Sequence, residues 1–139
     1  MSIVVDMSKI LSRNNNGGLP IMMTALKILH LGTITLSKEY LAMDVEKTLD
    51  SDTLLIMSNK TYSDEDIMIT DDGISVTTPE RTICDIVSAD LYEGYVYDAI
   101  ADYDREKYAQ LLKYSEKFGL RSKLQEIIKD IQEDEYSGY

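Results

Sequence analysis

The sequence predicts a single α+β domain in which a small mixed or antiparallel sheet carries a C-terminal bundle of about four helices. Apolar residues follow strand spacing in the middle of the 139-residue chain and helical spacing from Thr78 onward. No internal repeat and no long linker interrupts this order of helix, strands and helices. We therefore expect four consecutive parts: an N-terminal arm (1–19), a helix with the small sheet (20–77), the helical bundle (78–131) and a frayed tail (132–139).

The first predicted helix covers residues 20–32 and follows a polar, glycine-ending loop at 12–18. Pro20 suits a first helical turn, and Gly32 suits the position just after a last one. Three polar residues recur at a spacing of three and predict a narrow solvent-facing stripe on this otherwise apolar helix: Thr24, Lys27 and His30.

Short strands are expected in the middle of the chain. The apolar run at 53–57 has the length of a buried strand. Segments 67–70 and 74–77 flank the pair Asp72-Gly73, which is typical of tight turns between antiparallel strands. The sequence therefore predicts a β-hairpin centred on this pair.

Four helices are expected after this hairpin. Thr78 precedes Pro79, which disfavours the α region for Thr78 and makes it a suitable N-cap. Pro79 and Glu80 both suit the first turn, because that turn needs no proline N–H and its dipole favours a carboxylate. The other three helices are predicted from about Leu91 to Asp102, from Asp104 to Gly119, and from Ser122, whose capping box closes with Gln125.

Acidic residues dominate the segment between residues 44 and 78. Nine Asp and Glu residues there are opposed only by Lys47 and Lys60, so the segment carries −7 of the chain's net charge of −11. It is either a solvated sheet edge with acidic loops or an electronegative docking surface that attracts a basic protein and repels nucleic acid. The candidate docking residues are Asp44, Glu46, Asp64, Glu65, Asp66, Asp71 and Asp72.

Catalysis, cofactor binding and metal binding are not expected. The chain has one histidine, His30, and one cysteine, Cys84, which give neither a zinc-ligand spacing nor a basis for a nucleophilic triad. It has no phosphate-binding glycine loop, and we expect Cys84 to be a buried, inert thiol. The N-terminus lacks the pattern of a signal peptide and no segment has the apolar length of a membrane span, so we expect a cytoplasmic protein.

Tyrosines are concentrated in the predicted bundle, where eight of the ten lie from Tyr92 onward. Tyr97, Tyr103 and Tyr114 fall off the inward-facing apolar stripes, which predicts that they are exposed. Exposed tyrosines among acidic residues are suitable interface anchors, because they bury much area at a low entropic cost. The alternative interpretation is a core that uses tyrosine in place of tryptophan.

The segments ISVTTPERTICDIV, DAIADY and LLKYSEKFGLRSKLQEII together resemble the C-terminal domain of AbiEi-type antitoxins from type IV toxin–antitoxin systems. The resemblance covers about residues 67–131. Six residues match the motif of that family: Thr78, Pro79, Glu80, Arg81, Thr82 and Asp85. It implies a nucleotidyltransferase-like toxin as the partner. Members of the family usually begin with a winged helix-turn-helix that binds operator DNA, and the residues before the first predicted helix leave no room for one.

The motif residues also have a physical interpretation of their own. Arg81 and Asp85 are four residues apart, so their side chains can form an ion pair on one helix face. Thr82 can cap the helix or bond back to the preceding strand. The motif is thus either a structural clamp between the hairpin and the bundle or a direct contact with a partner.

Two candidate functions follow from these expectations. The first is an acidic protein-interaction domain that, like the antitoxins it resembles, binds and inhibits a partner such as a nucleotidyltransferase-like toxin. The alternative is an inhibitor encoded by a phage or mobile element, of the anti-CRISPR type, whose acidic surface blocks the nucleic-acid-binding channel of a host defence nuclease. Both require a protein partner with a basic surface, and neither involves direct binding to nucleic acid or to a membrane.

Overall fold

The computed structural model describes three stretches of the chain: residues 18–32, 37–91 and 93–137. Side chains are described as far as Asp134. The predicted loop at 12–18 and the predicted N-terminal arm lie outside these stretches, except for Gly18 and Leu19. Within the described residues the chain forms six short strands and five α-helices, which confirms the predicted α+β class.

Four strands form a mixed sheet with the order β1-β2-β4-β3: β1 Leu19–Pro20, β2 Glu39–Met43, β3 Leu49–Asp50 and β4 Leu54–Ser58. Strands β2 and β4 run parallel with Leu41 opposite Ile56, and the other two pairings are antiparallel. The predicted hairpin is confirmed, since β5 (Ile67–Ile69) pairs antiparallel with β6 (Ser75–Thr77). Gly73 supplies the positive φ of 82° that its turn requires.

The helices follow mostly after the hairpin: α1 Met22–Leu29, α2 Pro79–Ser88, α3 Glu93–Asp102, α4 Tyr108–Ser115 and α5 Arg121–Ser137. Helix α2 is central, because α1, α3 and α4 all pack against it and α5 packs against α3 and α4. Its residues Arg81–Val87 are all buried. The fully buried side chains of the core include Leu26, Ile83, Ile100 and Leu124 from four different helices.

The start of α1 corrects the prediction for Pro20. Pro20 lies in β1 opposite Leu41, and Ile21 is still extended, with its N–H donating to the Tyr40 carbonyl at 3.1 Å. A proline that lacks an N–H is tolerated in β1 because this strand is at the edge of the sheet. The helix therefore begins at Met22, two residues later than predicted.

The predicted polar stripe on α1 is correct only in part. Lys27 and His30 are exposed, but Thr24 is fully buried. The Thr24 hydroxyl accepts a hydrogen bond from the backbone N–H of Tyr40 at 2.7 Å, so its polarity is used to attach α1 to the sheet. The helix ends at Leu29, and its C-cap is His30, which adopts the left-handed conformation with φ 57°, rather than the predicted Gly32.

The predicted frayed tail is wrong for residues 132–137, because α5 continues to Ser137. Ile131 is 1% exposed and anchors this part of the helix in the core. The Tyr97 hydroxyl also donates to a carboxylate oxygen of Asp134, one turn beyond that anchor. Helix α5 is therefore attached to α3 as far as Asp134.

Candidate functional site

The Glu-Arg-Thr motif lies at the junction where β6 runs directly into α2. Thr78 is the N-cap of α2, and its side chain accepts from the Arg81 N–H at 3.2 Å. The buried hydroxyl of Thr82 lies 2.7 Å from the Thr77 hydroxyl and donates to the Thr78 carbonyl at 2.8 Å. The predictions that Thr78 caps the helix and that Thr82 bonds back to the strand are both confirmed.

Arg81 forms the predicted ion pair with Asp85 and two further contacts. Its Nε donates to Asp85 Oδ1 at 2.8 Å, and its Nη1 donates to Asp66 Oδ2 and to the Thr61 carbonyl, both at 3.2 Å. Only 7% of the residue is exposed. Arg81 therefore joins three parts of the fold: the 3-10 turn at Asn59–Thr61, the 3-10 turn at Asp64–Asp66 and α2.

Two aromatic rings cover the faces of the Arg81 guanidinium. Its central carbon lies 4.2 Å from the ring centroid of Tyr62 and 4.9 Å from that of Phe118. Such stacking fits the planar guanidinium better than it would fit a lysine ammonium. The contacts also bring the segment after α4 against the motif.

Asp66 is a buried member of this cluster, which corrects its assignment to the docking surface. It is 2% exposed, and its Oδ2 accepts from the backbone N–H and the hydroxyl of Ser63 at 3.0 and 3.1 Å. Tyr114 is half-buried, and its hydroxyl donates to the other carboxylate oxygen, Oδ1. Asp66 is drawn inward by Arg81 and by the cap of its own 3-10 turn, so it cannot meet a partner directly.

Burial and charge act in opposite directions on the two carboxyl groups. Burial raises the pKa of Asp85, and the adjacent Arg81 charge offsets this only in part. Burial also acts to raise the pKa of Asp66, but the hydrogen bonds from Tyr114 and Ser63, together with the charge of Arg81, lower it below its usual value. Burial raises the pKa of Tyr62, whose hydroxyl thus stays protonated and donates to Asp85 Oδ2 at 2.8 Å.

Tyr103 is also buried, so its predicted exposure is wrong. It is 4% exposed, its ring stacks on Tyr108 with the centroids 6.1 Å apart, and its hydroxyl donates to Glu80. The helical stripe placed Tyr103 off the apolar face. The residue follows the last turn of α3, however, where helical spacing no longer decides which side chain points inward.

Tyr97, like Tyr114, is only partly accessible, so its predicted full exposure is correct only in part. It is half-buried, packs against the core with part of its ring, and donates its hydroxyl to Asp134. The hydrogen bond fixes the ring where α3 meets α5. Tyr97 and Tyr114 therefore both keep a surface that a partner could contact, unlike Tyr103.

The acidic segment keeps eight of its nine carboxylates on the surface. We use the term acidic surface for these exposed residues: Asp44, Glu46, Asp50, Asp52, Asp64, Glu65, Asp71 and Asp72. Lys38 pairs with Asp50, and Lys117 pairs with Glu65 at 2.9 Å. The other six form no ion pair with a described residue. Their charge is available to a basic partner, although their exposure equally fits a solvated loop.

Reactive side chains are few in the described part of the chain. Cys84 is 1% exposed, and burial raises its pKa to about 12, which keeps the thiol protonated and unreactive. Among the described residues no three His, Cys, Asp or Glu side chains are grouped so that they could hold a metal ion.

None of the described helices is both long enough and apolar enough to cross a bilayer. The chain matches no family model, and a comparison with curated proteins finds no match.

Proposed function

We propose that this chain is a protein-interaction module that binds a basic protein and restrains its activity. The observation that carries the proposal is the acidic surface, in which six exposed carboxylates form no ion pair with a described residue. An array of like charges opposes the compact state, and a cationic partner would relieve that repulsion. Such complementarity speeds association and limits the choice of partners.

The resemblance to AbiEi-type antitoxins supports a nucleotidyltransferase-like toxin as the partner. The six motif residues on which the resemblance rests are largely occupied by contacts within the chain, as for Arg81, Thr82 and Asp85. The motif therefore maintains the fold, and surface residues elsewhere make the contact. We assign the first contact to the acidic surface.

A pair of variants tests this assignment. Asp64→Asn with Glu65→Gln removes two charges from the acidic surface, and Asp98→Asn with Glu106→Gln removes two exposed charges from the bundle as a control. The wild-type chain is immobilised and exposed to a lysate of the source cells. The protein that it retains is then identified and purified. The acidic-surface variant should associate with it more slowly and with a weaker salt dependence than the control. Equal loss in both variants would mean that only the overall charge matters.

The identity and activity of that protein decide between the two candidate functions. The antitoxin function is supported if the retained protein is a nucleotidyltransferase that the chain inhibits. Its transfer of nucleotide from a labelled nucleoside triphosphate should then fall in proportion to the amount of chain added. A nuclease whose binding to DNA or RNA is displaced by the chain supports the alternative, because exposed carboxylates can occupy a cationic nucleic-acid channel. A retained protein whose activity is unchanged by a stoichiometric amount of the chain would contradict both.

A further inference from the structure

A groove opens where the C-terminal end of α2 meets α3 and α5. Its floor is apolar and includes Val87, Leu91, Val96 and Ile127. The volume is about 280 Å³. Sites for small molecules and cofactors usually have about 300 to 1,000 Å³, so this groove is better matched to one or two side chains of a protein.

The rim of the groove is strongly acidic. Four carboxylates surround the apolar floor, from Asp90, Glu93, Glu126 and Asp130. One cation opposes them, since Lys123 lies 4.0 Å from Asp90. The other three carboxylates form no ion pair with a described residue, so a cationic group above the floor would meet an uncompensated negative charge.

Asp90 occupies a position where local physical chemistry favours glycine. The N–H groups of Asp90 and Leu91 bond back to the carbonyls of Val87 and Ile86, which is the Schellman pattern that ends α2. Asp90 takes the left-handed conformation there with φ 54°. A carboxylate at this end of a helix also opposes the helix dipole. Both features disfavour Asp90 in the free protein.

A second local conflict lies on α5. Glu126 and Asp130 are both exposed and four residues apart, so their like charges face each other along the helix. Such pairs destabilise a helix slightly in the absence of a cation. The groove thus combines two arrangements of negative charge that the fold alone does not favour.

We propose that this groove binds a segment of the partner protein in which an apolar side chain is flanked by lysine or arginine. The apolar side chain enters between Val87, Val96 and Ile127, and the flanking cations pair with the rim. Tyr97 lines the same groove with its hydroxyl held by Asp134, which provides a fixed aromatic surface beside the anchor. The inference rests on the proposed function and adds a second, apolar contact to the acidic surface.

The test uses a peptide in place of the partner, so it does not depend on finding that partner. The probe is a fluorescent peptide of sequence Lys-Arg-Ser-Leu-Ser-Arg-Lys, titrated with the full chain by fluorescence anisotropy and followed in ¹H–¹⁵N spectra. We expect weak, salt-sensitive binding with shift changes confined to residues lining the groove. Replacing the peptide leucine by serine, or its four cations by glutamate, should each weaken binding by about tenfold or more.

Protein variants locate the site and control for net charge. Glu126→Lys with Asp130→Lys should abolish binding of the peptide, whereas Asp98→Lys with Glu106→Lys changes the net charge equally and should retain most of it. Asp90→Gly should raise the melting temperature while it weakens binding, because glycine suits the left-handed position and removes a rim charge.

Several results would overturn the inference. Equal binding of the leucine and serine peptides would mean that charge alone holds the peptide. Chemical-shift changes confined to the acidic surface would exclude the groove as the binding site but would still agree with the proposed function. No binding of the peptide at millimolar concentration would reject the groove. The chain could also self-associate. If the Glu126→Lys and Asp130→Lys changes abolished that self-association, the groove would be the binding site for a second copy of this chain instead.

Discussion

Replacing Arg81 by methionine isolates the contribution of its charge. Methionine preserves an unbranched apolar stem between Tyr62 and Phe118 but removes the guanidinium and its three hydrogen bonds. Two carboxylates then remain without their cation, with side chains that are 3% exposed for Asp66 and 11% exposed for Asp85. The burial of both is what makes the expected effect large.

The expected loss in the free energy of unfolding is about 3 to 5 kcal/mol, the range for removing one member of a buried ion pair. An exposed pair would lose less than about 1 kcal/mol. Since a domain of this size is stable by about 5 to 15 kcal/mol, the variant should melt far below the wild type. Adding Asp85→Asn to the variant should recover part of the loss, because it removes one of the uncompensated charges.

The loss should also depend on pH with a sign that the structure fixes. Without Arg81, the pKa of Asp85 rises further above the unfolded value of about 3.9, because burial is no longer offset by the guanidinium. The contribution of Asp85 to stability is then fully present below that value and declines as pH rises through the raised pKa. The difference between variant and wild type should therefore be smaller near pH 4 than near pH 7.

Urea unfolding followed by circular dichroism measures the free energy of unfolding. It is carried out near pH 4 and near pH 7 on the wild type, Arg81→Met and Arg81→Met/Asp85→Asn. Arg81→Lys is a further control that retains the charge but lacks the planar fork. An Arg81→Met variant that unfolds at the wild-type urea concentration would refute the clamp. If such a stable variant also lost its partner, Arg81 would belong to the interface.

Three further predictions concern other parts of the molecule. The chain should not retard native or random duplex DNA in a gel-shift assay at physiological salt, given its net charge of −11; specific retardation at submicromolar protein contradicts this. Asp66→Asn should cost about 3 kcal/mol of stability, whereas Asp64→Asn with Glu65→Gln should cost less than about 1 kcal/mol, as urea unfolding would show. Stability should fall above about pH 9. Burial raises the pKa of Cys84 and of Tyr62 above their unfolded values of 9.0 and 10.0, so the unfolded chain loses these protons at a lower pH than the folded chain does. Each of these two groups contributes up to about 1.4 kcal/mol per pH unit to that fall, and unchanged urea midpoints up to about pH 11 would contradict it.

The parts of the motif that depend on short spacing could be predicted from the sequence. The Thr78 cap, the Arg81–Asp85 pair and the Asp72-Gly73 turn all arise between residues at most four positions apart. Backbone geometry fixes such neighbours before the rest of the chain is placed. These predictions were confirmed for that reason.

The partners that complete the cluster could not be predicted in the same way. Asp66 lies 15 residues before Arg81 and 48 residues before Tyr114, and no periodic pattern connects them. As one of nine acidic residues in its segment, Asp66 had no local feature that marked it as buried. The residue Ser63, three positions before it, was the available signal, because its N–H and hydroxyl bond to Asp66 in a capping box.

Strand β2 was missed for a related reason. The strand Glu39–Met43 begins with a glutamate, Glu39, that is only 7% exposed. It pairs in parallel with β4, from which it is separated by an intervening segment of the chain. Parallel pairing needs a crossover and leaves no turn signal between the partners. The missed strand also explains Pro20, because the place of Pro20 in β1 depends on antiparallel pairing with β2.

The buried cluster also bears on how the proposed docking surface would work. Asp66 is bonded to Arg81 and Tyr114, while its neighbour Glu65 pairs with Lys117 at 2.9 Å. Lys117 in turn lies 4.2 Å from the ring centroid of Tyr114. These contacts hold one turn of the acidic surface against α4, so its carboxylates are positioned before a partner arrives. Positioning them in advance would lower the entropic cost of binding the proposed partner, so the motif could strengthen that interaction without touching the partner.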